Sequence, residues 1–495
     1  MAKDTTSMRS ALAWMQEQGE ALVIQGEVDP IYEVAGILKA LDGGSAILFE
    51  SIKGYPGVRG VGNVFAREEA MAGLFDVEDP RRLKYKAWEA LRNPLSPRVV
   101  EDAPCQEVVI TDGIDIPATL PILKHSERDA GRILGGGVQV VTGRYFRGGS
   151  HISFNRAHFR GKDWATIMAG PPTHLGIIAF IEHRDEKVPL TINICPPPAV
   201  ALAAAGNVHS VVPVGSDELG IAGALQDSPI ELVKARTVDA YALAQAEFVI
   251  EGYLDLERAW ETEEAEALGR GGEAPFFPEW TGYLGRAFRF RKFQVTAVTH
   301  RRERPIFYSP LATGLEADNM NRPLREACFL EIADRVMPGL VIDVNIPPGF
   351  RGAGGIVFQF RKRGRYDEGL QRNILLAALS TAPSLRLAIA VDEDVDIYST
   401  DDVLWAIMTR ANPRTNFLEG PRGERGTMMM PMERLEAGGG LGIDATIPLD
   451  VKREFERAHY PVDRVDLERW LSREEIEQQR ALQIDYARVL AGRGW

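Results

Sequence analysis

Two carboxylates bracket a rigid apolar segment at residues 273–283, which read Glu-Ala-Pro-Phe-Phe-Pro-Glu-Trp-Thr-Gly-Tyr. Pro275 and Pro278 fix the backbone and remove two N–H donors, and the two phenylalanines between them favour burial. Glu273 and Glu279 are therefore expected beside apolar surface, where desolvation raises a carboxyl pKa and a nearby guanidinium lowers it. Such a pair could supply a proton donor and an anion. The alternative is a surface turn with two solvated glutamates.

Two of the eight histidines, His151 and His174, lie in contexts suited to ligand binding. Residues 151–159 read His-Ile-Ser-Phe-Asn-Arg-Ala-His-Phe and predict a strand that carries Arg156 among apolar neighbours. The Pro-Pro-Thr run before His174 predicts a helix start capped by Thr173. A histidine at a helix N-terminus favours the neutral form that a metal ion requires. The alternative for each histidine is a hydrogen-bonded core residue.

A further acidic residue, Glu218, follows Ser-Asp at a predicted helix start. Helix N-termini bind anions and phosphate groups, and a carboxylate there can hold a hard divalent cation against a phosphate. Without further support, the preferred explanation of Glu218 is simply a favourable first-turn glutamate.

The elements that must position these residues fall into several segments. Residues 7–18, a helix after Asp29-Pro30 and a strand at 46–49 predict an N-terminal α/β lobe over 1–114. A β-rich segment, 115–315, predicts a barrel or curved sheet. Its runs are 138–142, 151–159, 189–194, 230–233, 248–250 and 293–298.

An α/β domain is predicted over 316–450, and a helical tail over 451–495. The domain alternates helix 324–336, strands 340–344 and 356–360, helix 370–379, strand 385–391 and helix 401–410. In the tail, Ser472 and Glu475 form a capping box before an apolar stripe of Ile476, Leu482, Tyr486, Val489 and Leu490. This helix could dock on a partner subunit or on its own chain.

The composition limits the classes of function. Apolar residues make up 45% and charged residues 26% of the 495 residues, as in soluble globular proteins. The net charge of -13 argues against nucleic acid as a partner, because backbone binding needs clustered Lys and Arg. Cys105, Cys195 and Cys328 are far apart and suggest neither a disulfide framework nor a thiolate zinc site. No signal peptide or membrane span is evident, so a cytoplasmic location is expected.

The order of the polar residues resembles the UbiD family of decarboxylases. Arg156 is followed eighteen positions later by His174, then by Glu218, by Glu247 twenty-nine positions beyond, and by Glu279 in Glu-Trp-Thr-Gly-Tyr. The resemblance covers roughly residues 10 to 450. Its further motifs are Val298-Thr299-His300, Asp392-Glu393-Asp394-Val395-Asp396, Asp402-Val403-Leu404-Trp405-Ala406-Ile407 with Thr409-Arg410, and Gly442-Ile443-Asp444-Ala445-Thr446.

This resemblance implies an α/β fold in which a split β-barrel domain binds prenylated FMN. A divalent metal ion, Mn²⁺ or Mg²⁺, and K⁺ would hold the cofactor phosphate. His174 and Glu218 match metal ligands of the family, and His151 occupies the position of a third. The cofactor-binding positions implied by the resemblance are Arg156, His174, Glu218, Ser153, Val211 and Pro213.

The resemblance also implies a Glu–Arg–Glu catalytic network made of Arg156, Glu273 and Glu279. Glu279 would protonate the carbon that loses carbon dioxide, and Glu273 would pair with Arg156. The electrophilic cofactor is needed because loss of carbon dioxide from an aryl or alkenyl acid would leave an sp² carbanion. Residues adjoining these motifs, Met168, Thr173, Phe277 and Trp280, are predicted to line the substrate pocket.

Three departures from the family pattern are visible. The third metal ligand is usually Asn, and aligning Asn155 there instead would make Arg160 the catalytic arginine and break the spacing to His174. The family commonly has a Lys that contacts the cofactor phosphate before the Gly-x-Asp-Ala-Thr motif, whereas this chain reads Gly438-Gly439-Gly440-Leu441 there. Glycine amides, Lys362 or a nearby Arg would have to bind the phosphate instead. The two glutamates are six rather than five positions apart, and an extended Glu-rich stretch, 254–272, precedes them.

The sequence therefore predicts a reversible, non-oxidative decarboxylase of an aromatic, heteroaromatic or α,β-unsaturated carboxylic acid. Its expected partners are that small-molecule acid, further copies of the chain in a homodimer or larger oligomer, and a prenyltransferase that supplies the cofactor. The alternatives are a non-catalytic flavin-binding paralogue and an FMN-dependent reductase.

Overall fold

The computed structural model describes residues 3–170, 173–382, 384–420, 439–458 and 460–483. These residues form two compact units: residues 3–328 with 351–353 make up unit 1, and residues 329–350 with the described residues from 354 onward make up unit 2. Both units mix helices and strands, so the predicted α/β class is confirmed. The domain boundaries after residues 114, 315 and 450 stay predictions.

The helices of unit 1 begin where capping residues and apolar spacing predict them. The first, α1 (Met8–Glu17), follows a serine cap and buries Met8, Leu12 and Met15 at helical spacing. The next helices are α2 (Glu33–Ala40), α3 (Glu68–Leu74), α4 (Leu83–Arg92), α5 (Ile116–Thr119), α6 (His174–Ile177), α7 (Pro198–Ala205), α8 (Glu218–Leu225) and α9 (Glu263–Leu268), and α10 (Leu315–Val336) continues into unit 2. Short 3₁₀ segments occur at Pro80–Arg82, Pro104–Gln106, Gly143–Phe146 and Val208–Ser210, and a π-turn at Ile178–Glu182.

The described strands of unit 1 build four sheets. In chain order they are β1 (Ala21–Val28), β2 (Ala46–Ile52), β3 (Arg59–Gly62), β4 (Arg98–Val100), β5 (Val108–Ile110), β6 (Ile133–Leu134), β7 (Gly137–Thr142), β8 (Ser150–Phe154), β9 (Ala157–Phe159), β10 (Trp164–Ile167), β11 (Val188–Ile194), β12 (Glu231–Lys234), β13 (Tyr241–Leu243), β14 (Phe248–Trp260), β15 (Pro275–Pro278), β16 (Leu284–Arg286), β17 (Arg289–His300) and β18 (Ile306–Tyr308).

The largest sheet has nine strands, in the order β6-β9-β10-β17-β14-β11-β7-β8, with β5 paired to β17. Every residue of β11 is buried, which places this strand in the core with both faces covered. Among the described strands no pairing joins β6 to β8, so the sheet does not close. The three smaller sheets have the orders β1-β2-β3-β18, β13-β12-β4 and β15-β16.

Arg156 does not lie in a strand, and that part of the prediction is wrong. β8 ends at Phe154, and β9 begins at Ala157 and pairs with β10 rather than with β7. The Gln139 side chain causes the break, because it bonds both backbone groups of Asn155: the carbonyl at 2.8 Å and the N–H at 2.7 Å. The chain therefore leaves one strand for another at Arg156.

A buried ion pair fixes α1 to the central sheet. Arg9 donates to both carboxylate oxygens of Glu247, at 2.9 and 2.6 Å, and the Glu247 side chain is fully buried. Ile306 on β18 donates its N–H to the same carboxylate at 3.1 Å. Glu247 thus has a structural role in which it holds three elements together.

Unit 2 is an α/β layer that contains the predicted strands and the predicted helices at 370–379 and 401–410. It also has two strands that were not predicted, at 417–419 and 441–445, and the predicted helix 324–336 is the end of a longer one, α10. Its strands β19 (Val341–Asn345), β20 (Gly355–Phe360), β21 (Leu387–Asp392), β22 (Phe417–Glu419) and β23 (Leu441–Ala445) form one sheet in the order β19-β20-β21-β23-β22. Its helices are α11 (Leu370–Thr381), α12 (Thr400–Arg410) and α13 (Arg473–Leu482). Short 3₁₀ segments lie at Pro348–Phe350, Arg365–Asp367, Leu449–Phe455, Val462–Arg464 and Leu467–Arg469.

The predicted capping box of the tail is confirmed: the Ser472 side chain accepts a bond from the Glu475 N–H, and the Glu475 carboxylate accepts one from the Ser472 N–H. Tyr486, Val489 and Leu490 lie outside the described residues, as does Gly438. Among the helices that the structure describes, none has the length and apolar character needed to cross a bilayer. The thiols of Cys105, Cys195 and Cys328 are buried and form no disulfide with one another.

Candidate active site

A two-stranded hairpin presents Glu279. β15 and β16 pair antiparallel, and Glu279 begins the turn between them, where its N–H donates to Tyr283 O at 3.0 Å. Gly282 closes the turn with a φ of 84°, a conformation that favours glycine. A Cβ on Gly285 would lie 2.6 Å from Cγ of Glu279, so a glycine there lets the carboxyl side chain fold against the hairpin.

The guanidinium of Arg156 joins two carboxylates. Its Nη1 donates to Oε1 of Glu279, while its Nε and Nη2 donate to Oε1 and Oε2 of Glu261 at 2.9 and 2.7 Å. The Phe288 N–H also donates to Oε2 of Glu261 at 2.8 Å. The guanidinium carbon lies 4.2 Å from the centre of the Phe276 ring, which covers one of its faces.

This network is buried, and burial sets its protonation. Glu261 is fully buried, and Arg156 and Glu279 expose only 5% and 6% of their surface. Burial raises the pKa of Glu279 above its ordinary value, and Arg156 opposes the rise without cancelling it. The pKa of Glu261 is also raised by burial, against the effects of Arg156 and the Phe288 N–H. Two buried carboxylates that share one cation favour retention of one proton.

Glu273 is not part of this network, contrary to its predicted role. Its side chain is 47% exposed and pairs with Arg270 at 3.1 Å. The turn after α9 leaves Glu273 before β15, and its carbonyl, not its carboxylate, bonds Arg286. Glu261, just after the end of β14, is instead the bidentate ion-pair partner of Arg156, the partner role that was predicted for Glu273.

The three predicted metal ligands converge in a second buried cluster. Nδ1 of His151 on β8 lies 2.9 Å from Oε2 of Glu218, and Nδ1 of His174 lies 2.7 Å from Oε1. Thr173 caps α6 by accepting the Gly176 N–H, as predicted, and thereby places His174 at the first helical position. Glu218 is likewise the first residue of α8.

The chemistry of this cluster fits a metal ion. One ligand atom from each of the three side chains lies within 4.8 Å of the others. Nε2 of His151 is buried and has no hydrogen-bond partner among the described residues. Burial would raise the pKa of Glu218, but the two histidines lower it to about 2, so the carboxylate is an anion. Two imidazoles and one carboxylate suit a divalent transition metal.

The remaining predicted cofactor residues lie near these clusters in the chain. Ser153 is on β8 between His151 and Arg156, and its hydroxyl accepts a bond from the Asn155 side chain at 2.7 Å. Val211 is partly buried against the core, and Pro213 is exposed. Their cofactor contacts stay predictions.

The four predicted pocket residues have different surroundings. Met168 donates its N–H to the Arg156 carbonyl at 3.1 Å, which holds it beside the network. Phe277 is 6% exposed and contacts the rings of Phe276 and His125. The Trp280 carbonyl accepts a bond from Nε of Arg351 at 3.1 Å. Thr173 caps α6.

In unit 2, Lys362 has partners of its own. Its ammonium donates to the Ile447 carbonyl at 2.6 Å and lies 3.1 Å from Glu368, with its side chain 2% exposed. These contacts favour a structural role for Lys362 over the phosphate-binding role considered from the sequence.

Three consecutive segments of the chain match the domains of one enzyme family. Residues 12–87, 98–314 and 318–445 match the N-terminal, Rift-related and C-terminal domains of 3-octaprenyl-4-hydroxybenzoate carboxy-lyase. The class is therefore that of carboxy-lyases. The chain belongs to the UbiD family, as its ordered motifs predicted.

Relatives of known activity or structure are similar over nearly the whole chain. Gallate decarboxylase of Lactiplantibacillus plantarum is 32% identical over 462 residues, which cover 88% of this chain and 92% of the relative. An evolved dimeric form of the UbiD-class enzyme HmfF from Pelotomaculum thermopropionicum, solved with prFMN, superposes with a TM-score of 0.77 at 30% identity, covering 94% and 100%. The apo 3,4-dihydroxybenzoic acid decarboxylase from Enterobacter cloacae gives a TM-score of 0.80 at 29% identity, covering 95% and 99%.

Proposed function

We propose that this carboxy-lyase is a reversible, non-oxidative decarboxylase of an aromatic, heteroaromatic or α,β-unsaturated carboxylic acid that works with prenylated FMN. One observation carries the proposal: Arg156 is buried between Glu261 and Glu279, and burial raises the pKa of Glu279. The similarity to gallate decarboxylase and to prFMN-bound HmfF supports the substrate class and the cofactor.

In this proposal each member of the network has a defined task. When bound, prenylated FMN supplies an electrophilic centre that takes up the electron pair left as carbon dioxide departs. Glu279 delivers one proton to the substrate carbon, a contribution typically worth about 10²–10⁴-fold in rate. Arg156 orients Glu279, and Glu261 remains the anion that balances the guanidinium. The buried ring of Phe276, packed on the Arg156 guanidinium, would help to exclude water from the network.

The second cluster is proposed to hold the metal ion that anchors the cofactor phosphate. His151, His174 and Glu218 would be its protein ligands, with Mn²⁺ favoured over Mg²⁺ because magnesium prefers an all-oxygen shell. The family resemblance implies that K⁺ also binds beside the cofactor phosphate, and the proposal includes this ion. β8 carries His151 near its start, and Arg156 follows its end, so one strand positions both the metal site and the catalytic arginine.

A homo-oligomer is proposed for the assembly. The end of unit 2 exposes apolar side chains that include Trp470 at 65% and Leu482 at 72%. An evolved form of the relative HmfF was solved as a dimer. A prenyltransferase as the source of the cofactor and a cytoplasmic location complete the proposal.

The test is turnover in deuterated water with protein loaded with prenylated FMN. The wild-type protein, offered a set of aryl and alkenyl acids, should release carbon dioxide from at least one and incorporate deuterium at the carbon that lost it. Glu279→Gln should retain the flavin absorption spectrum and lose both signals.

Substantial exchange by cofactor-loaded Glu279→Gln would contradict the assigned proton donor. A wild-type protein that binds flavin and turns over none of the acids would favour the non-catalytic paralogue. Oxidation of NAD(P)H by the FMN-loaded protein would favour the reductase, whose hydride transfer does not require the glutamate–arginine network.

A further inference from the structure

The turn that begins at Glu279 is bound by an arginine from a distant part of the chain. The Trp280 carbonyl, one residue after the proposed proton donor, accepts a hydrogen bond from Nε of Arg351 at 3.1 Å. Within the turn, the Gly282 N–H donates to the Glu279 carbonyl at 2.9 Å, and the Glu279 N–H donates to Tyr283 O at 3.0 Å. Arg351 therefore adds a long-range bond to a turn that its own backbone closes.

The guanidinium of Arg351 is itself anchored on α10. Its Nη1 lies 2.5 Å from Oδ2 of Asp318, whose side chain is 3% exposed, and the Arg351 side chain is 28% exposed. Burial raises the pKa of Asp318 to about 6, and Arg351 opposes this rise most strongly. Because an arginine stays charged in proteins, the two side chains form an ion pair above about pH 6.

The backbone that carries Arg351 packs closely against the same helix. Arg351 and Gly352 have φ values of 52° and 66°, and the left-handed conformation is uncommon for a residue other than glycine. A Cβ on Gly352 would lie 3.1 Å from both the Asp318 carbonyl oxygen and Cβ of Asn321, so the turn fits against α10 only with glycine there. Residues 351–353 belong to unit 1, as do the hairpin and this part of α10. The position from which the Arg351 side chain extends is therefore fixed.

We propose that Arg351 is a positioning residue for the reaction: it ties the Trp280 carbonyl to Asp318 on α10 and thereby fixes the turn from which Glu279 extends toward Arg156. The inference rests on the proposed function, in which Glu279 delivers the proton. The Glu279 carboxyl group is held by Arg156 at one end and by the backbone of the turn at the other. A misplacement of about 1 Å can cost about 10²-fold in rate. Arg351 acts through the turn and not by contact with the substrate.

The test compares Arg351→Ala and Arg351→Lys with wild-type protein, all loaded with prenylated FMN. Hydrogen–deuterium exchange of the peptide that covers residues 276–286, measured by mass spectrometry without substrate, reports how firmly the turn is held. Kinetics use the acid that wild-type protein turns over fastest in a set of aryl and alkenyl acids. Arg351→Ala should increase exchange in this peptide and lower kcat by about 10–10²-fold, with KM and flavin content within about twofold. Arg351→Lys keeps the charge but loses the planar fork, so it should recover part of both signals.

Arg9→Ala is the matched control, because Arg9 is 31% exposed and pairs with a fully buried carboxylate, Glu247, at 2.6 Å. Loss of one partner of such a pair is destabilising, so this variant should lower the Tm at least as much as Arg351→Ala does. It should leave kcat and exchange in the 276–286 peptide unchanged, since Arg9 binds neither the turn nor α10.

Three results would overturn the inference. They are a wild-type kcat in Arg351→Ala, unchanged exchange in the peptide despite a fall in kcat, and an equal fall in kcat in Arg9→Ala. Each leaves the proposed function standing, because that function fails only if the wild-type protein decarboxylates no acid. In that case the exchange measurement still decides whether Arg351 holds the turn.

Discussion

Glu261 offers the sharpest test of the site, because Glu273 supplies a matched control in the same chain. We predict that Glu261→Gln impairs turnover strongly and that Glu273→Gln does not. The two substitutions remove the same charge from the same residue type. Glu261→Gln changes a fully buried carboxylate that accepts hydrogen bonds from two nitrogens of Arg156. Glu273→Gln changes a side chain that is 47% exposed.

The size of the effect follows from the charges in the network. With both carboxylates ionised, the buried group would carry a net negative charge, so one proton is retained. Glu261 accepts two bonds from Arg156 and one from Phe288, whereas Glu279 accepts one from Arg156, so the proton favours Glu279. In Glu261→Gln, Glu279 alone balances the guanidinium, so its pKa should fall. At a fixed pH above that pKa less of the donor stays protonated, and kcat should fall toward the full loss of general acid catalysis, about 10²–10⁴-fold.

The sign of the pH dependence follows in the same way. Burial raises the pKa of Glu279 above that of an exposed glutamate, so the proton donor is present below this raised pKa and is lost as pH rises through it. Glu261→Gln should shift that loss to lower pH. The surface pair of Glu273 and Arg270 is worth about 0–1 kcal/mol, so Glu273→Gln should change kcat by less than about twofold.

The assay is the pH profile of kcat for both variants and the wild-type protein, loaded with prenylated FMN and checked for flavin content and Tm. Gln retains the volume of Glu and an oxygen for the Phe288 N–H, so the fold should persist. Wild-type activity in Glu261→Gln, or a large loss in Glu273→Gln with intact flavin, would refute this account of the network.

Three further predictions concern the metal, the pH dependence of stability and the assembly. His151→Ala should lose bound manganese by mass spectrometric metal analysis after dialysis, whereas His151→Asn should retain part of it; full retention in His151→Ala would argue against ligation. Burial raises the pKa of Glu316 to about 7 against three backbone N–H donors, so it contributes stability that is present below about pH 4.5 and lost as pH rises through about 7. Between these values the Tm of the wild-type protein should fall by a few degrees relative to Glu316→Gln, and parallel curves would contradict the assignment. Trp470→Ser with Leu482→Ser should reduce the mass measured by light scattering, and an unchanged oligomer would exclude this surface as the interface.

Local signals explain which elements the sequence predicted well. The starts of α6, α8 and α13 follow side-chain caps at Thr173, Asp217 and Ser472, which act within three residues and are readable from sequence alone. The strands β19, β20 and β21 and the helices α11 and α12 were predicted for the same reason, since each apolar run is bounded by local turn residues.

Two errors in the fold have nonlocal causes. β1 was missed because its outward-facing polar residues obscure the apolar run, and only parallel pairing with β2, as Leu22 with Ile47, makes it a strand. The interruption between β8 and β9 at Arg156 involves Gln139, seventeen positions earlier. The Gln139 side chain bonds the N–H and carbonyl of Asn155, which would otherwise be free to pair with a neighbouring strand. Neither cause is visible in the residues around the error.

The network around Arg156 shows the same limit. The place of Glu279 beside Arg156 could be predicted because it depends on an adjacent turn, Trp-Thr-Gly-Tyr, that follows it directly in sequence. The other glutamate, Glu261, depends on the position at which β14 ends. This strand has thirteen residues, Phe248–Trp260, and Glu261 follows it directly and contacts Arg156. The Glu-rich stretch 254–272, which precedes Glu273, therefore contains Glu261, the glutamate that pairs with Arg156. The end of β14, and not the spacing to Glu279, determines which glutamate pairs with Arg156. The sequence number of such a glutamate can therefore differ from the number that motif spacing predicts, while its side chain still contacts the arginine.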